Sequence, residues 1–387
     1  MKTKIAKCVQ DIEPSVIREM SIKASGYTDV ISLGIGEPDF HTPAEICETA
    51  LNDARSGHTH YTASRGDADL VQALSDMIRA RFDIDLKESQ LLVTHGGMGG
   101  LNGFMRSVVE PGQQVIVPEP HFPTYRAQIR FADGEIVYVP TRFEDDFILQ
   151  PGDVERALTP QSRVLVLNSP NNPTGSVVPD AVLDDLAQLA VARDLLVLSD
   201  EVYDRMVYGK PHSSIYTRPG MEARTVVVNS FSKAYAMTGW RMGYAYGPAW
   251  LIDEMLKVVT YQTSCASSVG QRAALAALKT DGAAFDAMAK EFENRCEYAC
   301  QRLSRMPGVE VKPTAVSFYI FPRIEGIISD CKQFAFDLLD QEQVVVVPGA
   351  AFGPSGKGFV RIACTVGKEK LVEAMDRIER FVRRYAS

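Results

Sequence analysis

The sequence predicts an α/β fold, in which helices cover both faces of a mostly parallel sheet and a smaller α+β domain follows. Two observations predict it. Short β-branched runs alternate with amphipathic stretches through the first two thirds of the chain, and this alternation is typical of a parallel sheet with crossover helices. After about residue 275 the pattern changes to long helical stretches around the segment VEVKPTAVSFYIFPRI, which predicts a second, smaller unit.

Five apolar runs predict strands of the large sheet. They begin near residues 90, 114, 163, 194 and 225 and read QLLVT, QVIVPE, RVLVLNSP, DLLVLSD and TVVVNSFS. Between the third and fourth runs, DAVLDDLAQLAVARD carries apolar residues at helical spacing, so we interpret it as a crossover helix.

The domain organisation follows from the same patterns. At 387 residues with 45% hydrophobic content, the chain is long enough for two domains. We predict a large domain over residues 46–275 and a small α+β domain over residues 276–387. Residues 1–45 hold one helical patch and VISLGIGEPDF, too little for a domain, and we expect them to pack with the small domain.

Composition excludes several classes of function. A formal net charge of −8 and a pI near 5.4 give no basic surface for nucleic acid. The longest apolar runs have strand length, and the N-terminus shows no export signal, so we expect a cytoplasmic protein that binds no membrane. The seven cysteines lack zinc-ligand spacing and are interpreted as buried reduced thiols, and we expect no metal site.

Candidate site residues follow the predicted strands. In open α/β sheets, ligands bind outside the carboxyl ends of the strands. The segments after the five runs read THGGMGG, EPHFPTY, NSPNNPTG, SDEVYDR and NSFSK. A phosphate could be held there by backbone N–H groups at a helix start, by hydroxyl groups and by a fixed cation. The residues with these properties are Gly96, Gly97, Met98, Ser230, Ser232 and Arg241.

A phosphate site next to Lys233 would give this lysine a chemical role. An amine that loses its proton near other cations can condense with an aldehyde, and pyridoxal 5'-phosphate is a phosphorylated aldehyde. Asp200 could keep its pyridine nitrogen protonated, Asn172 and Tyr203 could donate to its phenolic oxygen, and Phe122 could stack on its ring. Each residue alone could equally be a turn, cap or core residue, but one ligand accounts for all of them.

These residues also carry a family resemblance over nearly the whole chain. The S-x-S-K motif with an arginine eight residues later is matched by Ser230, Ser232, Lys233 and Arg241, and N-P-T-G by residues 172–175. The chain therefore resembles the class I/II pyridoxal-phosphate-dependent aminotransferases, of fold type I in the aspartate aminotransferase-like superfamily. The resemblance implies a seven-stranded-type sheet in the cofactor-binding domain and a small domain built from both chain ends.

Three further site residues are implied by the resemblance alone. Tyr61 would reach the cofactor phosphate of the neighbouring subunit, so a homodimer would share its active sites. Arg361 would bind the substrate α-carboxylate, and Gly36 would lie where the N-terminal segment closes over the substrate. Asn172 would contribute to substrate binding as well.

The resemblance further implies a mechanism, with Lys233, Asp200 and Tyr203 as its catalytic residues. Lys233 would hold the cofactor as an internal aldimine and then move the substrate α-proton. The amino group of an L-amino acid would pass to a 2-oxo acid with ping-pong kinetics. An alternative on the same fold is a β-eliminating C–S lyase. A regulatory protein that only binds the cofactor ranks last. Regulators of this fold commonly carry an added DNA-binding domain, and we expect no room for one because the first motif begins near residue 31.

Overall fold

A computed structural model describes residues 4–12 and 14–385 of the chain. Its strands are β1 (Ile31–Ser32), β2 (Leu91–His95), β3 (Gln114–Glu119), β4 (Glu135–Pro140), β5 (Ser162–Asn168), β6 (Leu196–Asp200), β7 (Thr225–Ser230), β8 (Met242–Tyr246), β9 (Tyr319–Ile320), β10 (Val344–Val345), β11 (Val347–Pro348) and β12 (Val360–Ala363).

The helices connect these strands along the chain. They are α1 (Lys7–Gln10), α2 (Val16–Ala24), α3 (Ala44–Arg55), α4 (Ala68–Phe82), α5 (Gly96–Val108), α6 (Thr124–Phe131), α7 (Pro151–Ala157), α8 (Asp180–Ala192), α9 (Phe231–Ala234), α10 (Ala249–Thr263), α11 (Ser268–Lys279), α12 (Ala283–Leu303), α13 (Cys331–Glu342) and α14 (Lys368–Tyr385).

The large sheet has seven strands in the order β2-β8-β7-β6-β5-β3-β4. Strand β8 runs antiparallel to both of its neighbours, and the other pairings are parallel. This confirms the predicted α/β fold with a mostly parallel sheet. Because six strands point the same way, their carboxyl ends meet at one edge, where a ligand site is expected.

Helices cover both faces of this sheet, as the alternation along β7 shows. Val226 and Val228 pack in the cluster formed with α5 and α10, whereas Val227 packs in the cluster formed with α4 and α11. Successive strand side chains point to opposite faces, so a strand buried on both sides must be apolar throughout. The uninterrupted TVVV run satisfies that requirement.

The two chain ends build a second core. Strand β1 pairs in parallel with β10, and β12 lies between β11 and β9 in an antiparallel sheet. Met20 and Leu33 from the N-terminal segment pack in one cluster with apolar residues of α12, α13 and α14. The domain boundaries placed at residues 45 and 275 stay predictions.

Some elements differ from the sequence interpretation. The sheet strands β4 and β8 were not among the five predicted runs, and the N-terminal segment holds two helices, α1 and α2, where one was expected. All seven cysteines are free thiols, but Cys8, Cys47 and Cys265 are only partly buried. Within the described residues, no helix is long and apolar enough to span a bilayer.

Candidate active site

A cavity of about 450 Å³ lies at the carboxyl edge of the large sheet. Most of the predicted site residues line it: Gly36, Gly97, Met98, Phe122, Asn172, Asp200, Tyr203, Ser230, Ser232, Lys233, Arg241 and Arg361. Residues more than 300 positions apart in the sequence therefore share one space, as the sequence analysis required.

Lys233 enters the cavity from α9, a single helical turn that begins directly after β7. The Ser230 hydroxyl caps this turn by accepting a hydrogen bond from the Ser232 N–H at 3.1 Å, the interaction that Ser favours at an N-cap. The Lys233 Nζ donates to the Gly36 carbonyl oxygen. Burial lowers the pKa of the Lys233 amine, because desolvation penalises its charged form. A larger share of neutral amine makes the side chain a better nucleophile and base.

Asp200 ends β6 and is 3% exposed. The Tyr125 hydroxyl donates to its Oδ2 at 2.6 Å, whereas the Val202 N–H reaches its Oδ1 at 3.4 Å, a long contact. Burial raises the pKa of Asp200 to about 6 against the opposing effect of the Tyr125 hydrogen bond. A buried carboxylate facing a cavity is well suited to hold a cationic group of a ligand.

Arg361 lies on β12 and lines the same cavity. Its Nη1 donates to Asn172 Oδ1 at 3.0 Å and its Nη2 to the Gly34 carbonyl oxygen at 2.8 Å. The Nε–H is buried and has no hydrogen-bond partner in the described part of the chain. Since buried donors are normally satisfied, this guanidinium is a candidate binding group for a carboxylate.

The start of α5 and Arg241 approach each other closely. A Cβ on Gly96 would lie 2.6 Å from Arg241 Nη2, and one on Gly243 would lie 2.4 Å from the Gly96 carbonyl carbon. Gly96 has φ +62°, which favours glycine. Because these glycines have no side chains, the positive start of α5 and the Arg241 guanidinium can lie next to each other. A helix start and a guanidinium in this arrangement are suited to bind phosphate.

Tyr203 and Gly36 both lie next to Tyr319, which was not selected as a site residue from the sequence. The Tyr203 hydroxyl lies 3.2 Å from the Tyr319 hydroxyl, and a Cβ on Gly36 would lie 2.1 Å from the same Tyr319 oxygen. Tyr319 falls in the segment VSFYIFP and lines the cavity, whereas Phe318 and Phe321 from that segment pack in core clusters and do not line it.

Two predicted site residues do not line the cavity. Gly96 does not line the cavity itself, but its lack of a side chain makes room for the Arg241 guanidinium. Tyr61 is 88% exposed, so it contacts little of its own chain. Arg65, a cation near Tyr61 in sequence, forms an ion pair with Asp253 at 2.6 Å and is not among the lining residues either.

Tyr125 and Asn168 were missed by the sequence analysis. Asn168 Nδ2 donates to the Asp200 carbonyl oxygen at 3.0 Å, and its Oδ1 accepts from the Asn172 N–H at 3.0 Å. Both residues follow or end predicted strands, within the segments EPHFPTY and NSPNNPTG. The strand-end rule that selected Phe122 and Asn172 could therefore have included them.

Fold and site together define an enzyme of the α/β class, with a lysine, a carboxylate and two arginines around one cavity. The profile of the family "Aminotransferase class I and II" matches residues 28–378. The chain belongs to this family, and it is an aminotransferase.

Named relatives cover nearly the whole chain. The chain is 40% identical to an aspartate aminotransferase of Pyrococcus abyssi and 39% identical to aromatic-amino-acid aminotransferase 2 of Thermococcus litoralis, and each alignment covers 96% of both chains. A crystal structure of an aromatic aminotransferase from Pyrococcus horikoshii superposes with a TM-score of 0.90 at 38% identity, over 94% of this chain and 99% of that one. The relatives thus include enzymes named for acidic and for aromatic substrates.

Proposed function

We propose that this aminotransferase depends on pyridoxal 5'-phosphate and moves the α-amino group of an L-amino acid to a 2-oxo acid in two ping-pong half-reactions. The observation that carries the proposal is the position of Lys233. It shares one cavity with the Asp200 carboxylate, the α5 start beside Arg241, and Arg361.

The donor set fits this cofactor group by group. The N–H groups at the start of α5, the hydroxyls of Ser230 and Ser232 and the Arg241 guanidinium suit a phosphate dianion. Asp200 offers a buried carboxylate to a protonated ring nitrogen. Asn172 turns its Oδ1 towards Arg361, which leaves its Nδ2–H as a donor for a ring oxygen.

When bound, the cofactor would supply an electron sink that no protein side chain offers. Lys233 would hold the aldehyde group of the cofactor. The Lys233 amine, whose pKa burial lowers, would also serve as the base that removes the α-proton of the substrate and later returns a proton. Asp200 would keep the ring nitrogen protonated, and Tyr203 would donate a hydrogen bond to the ring oxygen.

Arg361 would orient the substrate. Its unpartnered Nε–H and the remaining N–H groups of its guanidinium can bind an α-carboxylate. The Gly34 and Asn172 oxygens fix the guanidinium plane from two sides. A carboxylate bound there would share the cavity with the Lys233 amine, so the groups that bind the substrate and move its proton lie in one space. Phe122 and the segment around Gly36 would exclude water.

We further propose a homodimer in which Tyr61 reaches the cofactor phosphate of the neighbouring subunit. Its 88% exposure supports this, because the aromatic side chain is open for a neighbouring subunit to contact. A cytoplasmic location also stays a proposal.

The test is the visible absorption spectrum of purified protein loaded with pyridoxal 5'-phosphate. Single L-amino acids are added without an oxo acid. We expect loss of the bound-aldehyde band, one 2-oxo acid released per site and no ammonia. The Lys233→Ala variant should show no such change, whereas Lys257→Ala, an exposed lysine paired with Glu254 on α10, should behave as wild type. Sustained ammonia release without an oxo-acid acceptor would favour the β-eliminating lyase instead.

A further inference from the structure

Two isoleucines that the proposed reaction does not use line the cavity. Ile17 of α2 and Ile35 both line the cavity. Ile35 is 52% exposed although it is apolar, so a large part of its surface is open for a ligand to cover. Burying such surface is favourable in proportion to its area.

The backbone around Ile35 is held on each side. Arg361 Nη2 donates to the Gly34 carbonyl oxygen at 2.8 Å, Thr365 Oγ1 donates to the Ile35 carbonyl oxygen at 2.9 Å, and Lys233 Nζ donates to the Gly36 carbonyl oxygen. Since glycines flank it, Ile35 is the one residue of positions 34–36 that has a side chain. The hydrogen bonds therefore fix the backbone of Ile35 close to Arg361.

Ile17 reaches the same region from another side. It packs against an aromatic cluster that includes Phe352, and the Arg361 guanidinium lies 5.0 Å above the Phe352 ring. A substrate whose α-carboxylate binds Arg361 would thus extend its side chain close to both isoleucines.

The charges of the cavity argue against a second carboxylate on the substrate. Among the described residues that line it, the cations are Lys233, Arg241 and Arg361, and the proposed function uses all three. Two acids also line the cavity, and the proposed function uses one of them, Asp200. The other acid, Glu37, accepts a hydrogen bond from the Thr238 hydroxyl. On the part of the site that this chain builds, a side-chain carboxylate would therefore find no further cation, and it would meet apolar surface and a like charge, which is unfavourable.

We infer that Ile17 and Ile35 determine substrate specificity, and that they select amino acids with bulky apolar side chains over dicarboxylic ones. This inference rests on the proposed transamination and deepens it. It concerns the substrate class only, because the α-amino and α-carboxylate groups are the same in both kinds of substrate.

The test measures kcat/KM of the cofactor-loaded enzyme for phenylalanine, leucine, alanine, aspartate and glutamate, with one common oxo-acid acceptor. We expect wild type to favour phenylalanine or leucine over both acids by about tenfold or more, since apolar pockets discriminate by roughly 10- to 200-fold for each small change in fit. Ile35→Ala and Ile17→Ala should each lower the value for phenylalanine by about tenfold while that for alanine changes by less than about threefold.

A charge-introducing variant gives the opposite test. Ile35→Lys, at a half-exposed position that tolerates a longer side chain, should move the aspartate-to-phenylalanine ratio at least about tenfold towards aspartate. Ile22→Ala is the matched control, because Ile22 lies on α2 but is 65% exposed and does not line the cavity. It should leave every ratio unchanged.

The outcomes separate the inference from the function on which it rests. Preference of wild type for aspartate or glutamate, or an unchanged ratio in Ile35→Lys together with unchanged phenylalanine values in Ile17→Ala, would overturn the specificity inference while transamination stands. If the cofactor binds but no amino acid in the panel reacts, the proposed function itself fails.

Discussion

Replacing Tyr125 by phenylalanine should weaken cofactor binding through its effect on Asp200. The substitution removes only the hydroxyl that donates to Asp200 Oδ2 at 2.6 Å. Both side chains are buried, with 1% and 3% exposure, so water cannot replace the lost donor. The other donor to the carboxylate, the Val202 N–H, is distant at 3.4 Å.

The size of the effect follows from this geometry. A hydrogen bond to a charged group contributes about 1.5–3 kcal/mol, which corresponds to roughly 10- to 150-fold in an equilibrium constant. In the wild type, burial already raises the pKa of Asp200 to about 6. Loss of the hydroxyl raises it further, so less Asp200 is ionised near neutral pH to pair with a protonated ring nitrogen. We expect the Kd for pyridoxal 5'-phosphate near pH 7 to rise by about tenfold or more.

The assay is an absorbance titration of apoprotein with pyridoxal 5'-phosphate between about pH 5 and pH 9, a range that brackets the Asp200 pKa. Wild-type affinity should fall as the pH drops through about 6, and in Tyr125→Phe this fall should occur at a higher pH. Tyr246→Phe is the matched control. Tyr246 is equally buried, and its hydroxyl has no hydrogen-bond partner within the described residues. Identical affinities and pH profiles for Tyr125→Phe and wild type would refute this account of Asp200.

Three further predictions concern the same region. Gly36→Ala places a Cβ 2.1 Å from the Tyr319 hydroxyl, so activity should drop by about tenfold or more and recover in part when Tyr319→Phe is added; equal losses in the single and double variants would contradict this. The pKa of His212 is raised because its ion pair with Glu201 at 2.9 Å outweighs desolvation. Its stabilising contribution should be complete below about pH 6.5 and decline as the pH rises through the folded-state value. Urea unfolding of His212→Ala should show a loss of about 3 kcal/mol near pH 6, because Glu201 stays buried without its charged partner, although the Ser199 and Ser214 hydroxyls still donate to it; a pH-independent or negligible loss would count against it. Lys233→Met should raise the Tm of the apoprotein by roughly 2 °C, because it removes an amine whose charge burial penalises, and calorimetry showing a lower Tm would reject that reasoning.

The site could be predicted in part because much of it is local in sequence. Ser230, Ser232 and Lys233 occupy one capped turn at the end of a strand, and Gly96 and Gly97 begin a helix after another. Strand ends that share a direction must meet at one edge, so residues far apart in sequence could be assigned to one cavity. The contacts between these residues could not be assigned in the same way, since strand order does not fix side-chain distances.

The sequence by itself determined the α/β class, the residues at the strand ends and, through its motifs, the family. Continuous apolar runs specify strands that are buried on both faces, and no other arrangement satisfies them as well. The tertiary structure decided what depends on contacts across the chain. Tyr125 bonds to Asp200 over 75 positions and Arg361 to Gly34 over 327. Burial in the folded chain then raises the pKa of Asp200 and lowers that of Lys233. Desolvation is a property of the packed interior and not of any local pattern, which is why only the fold could reveal it.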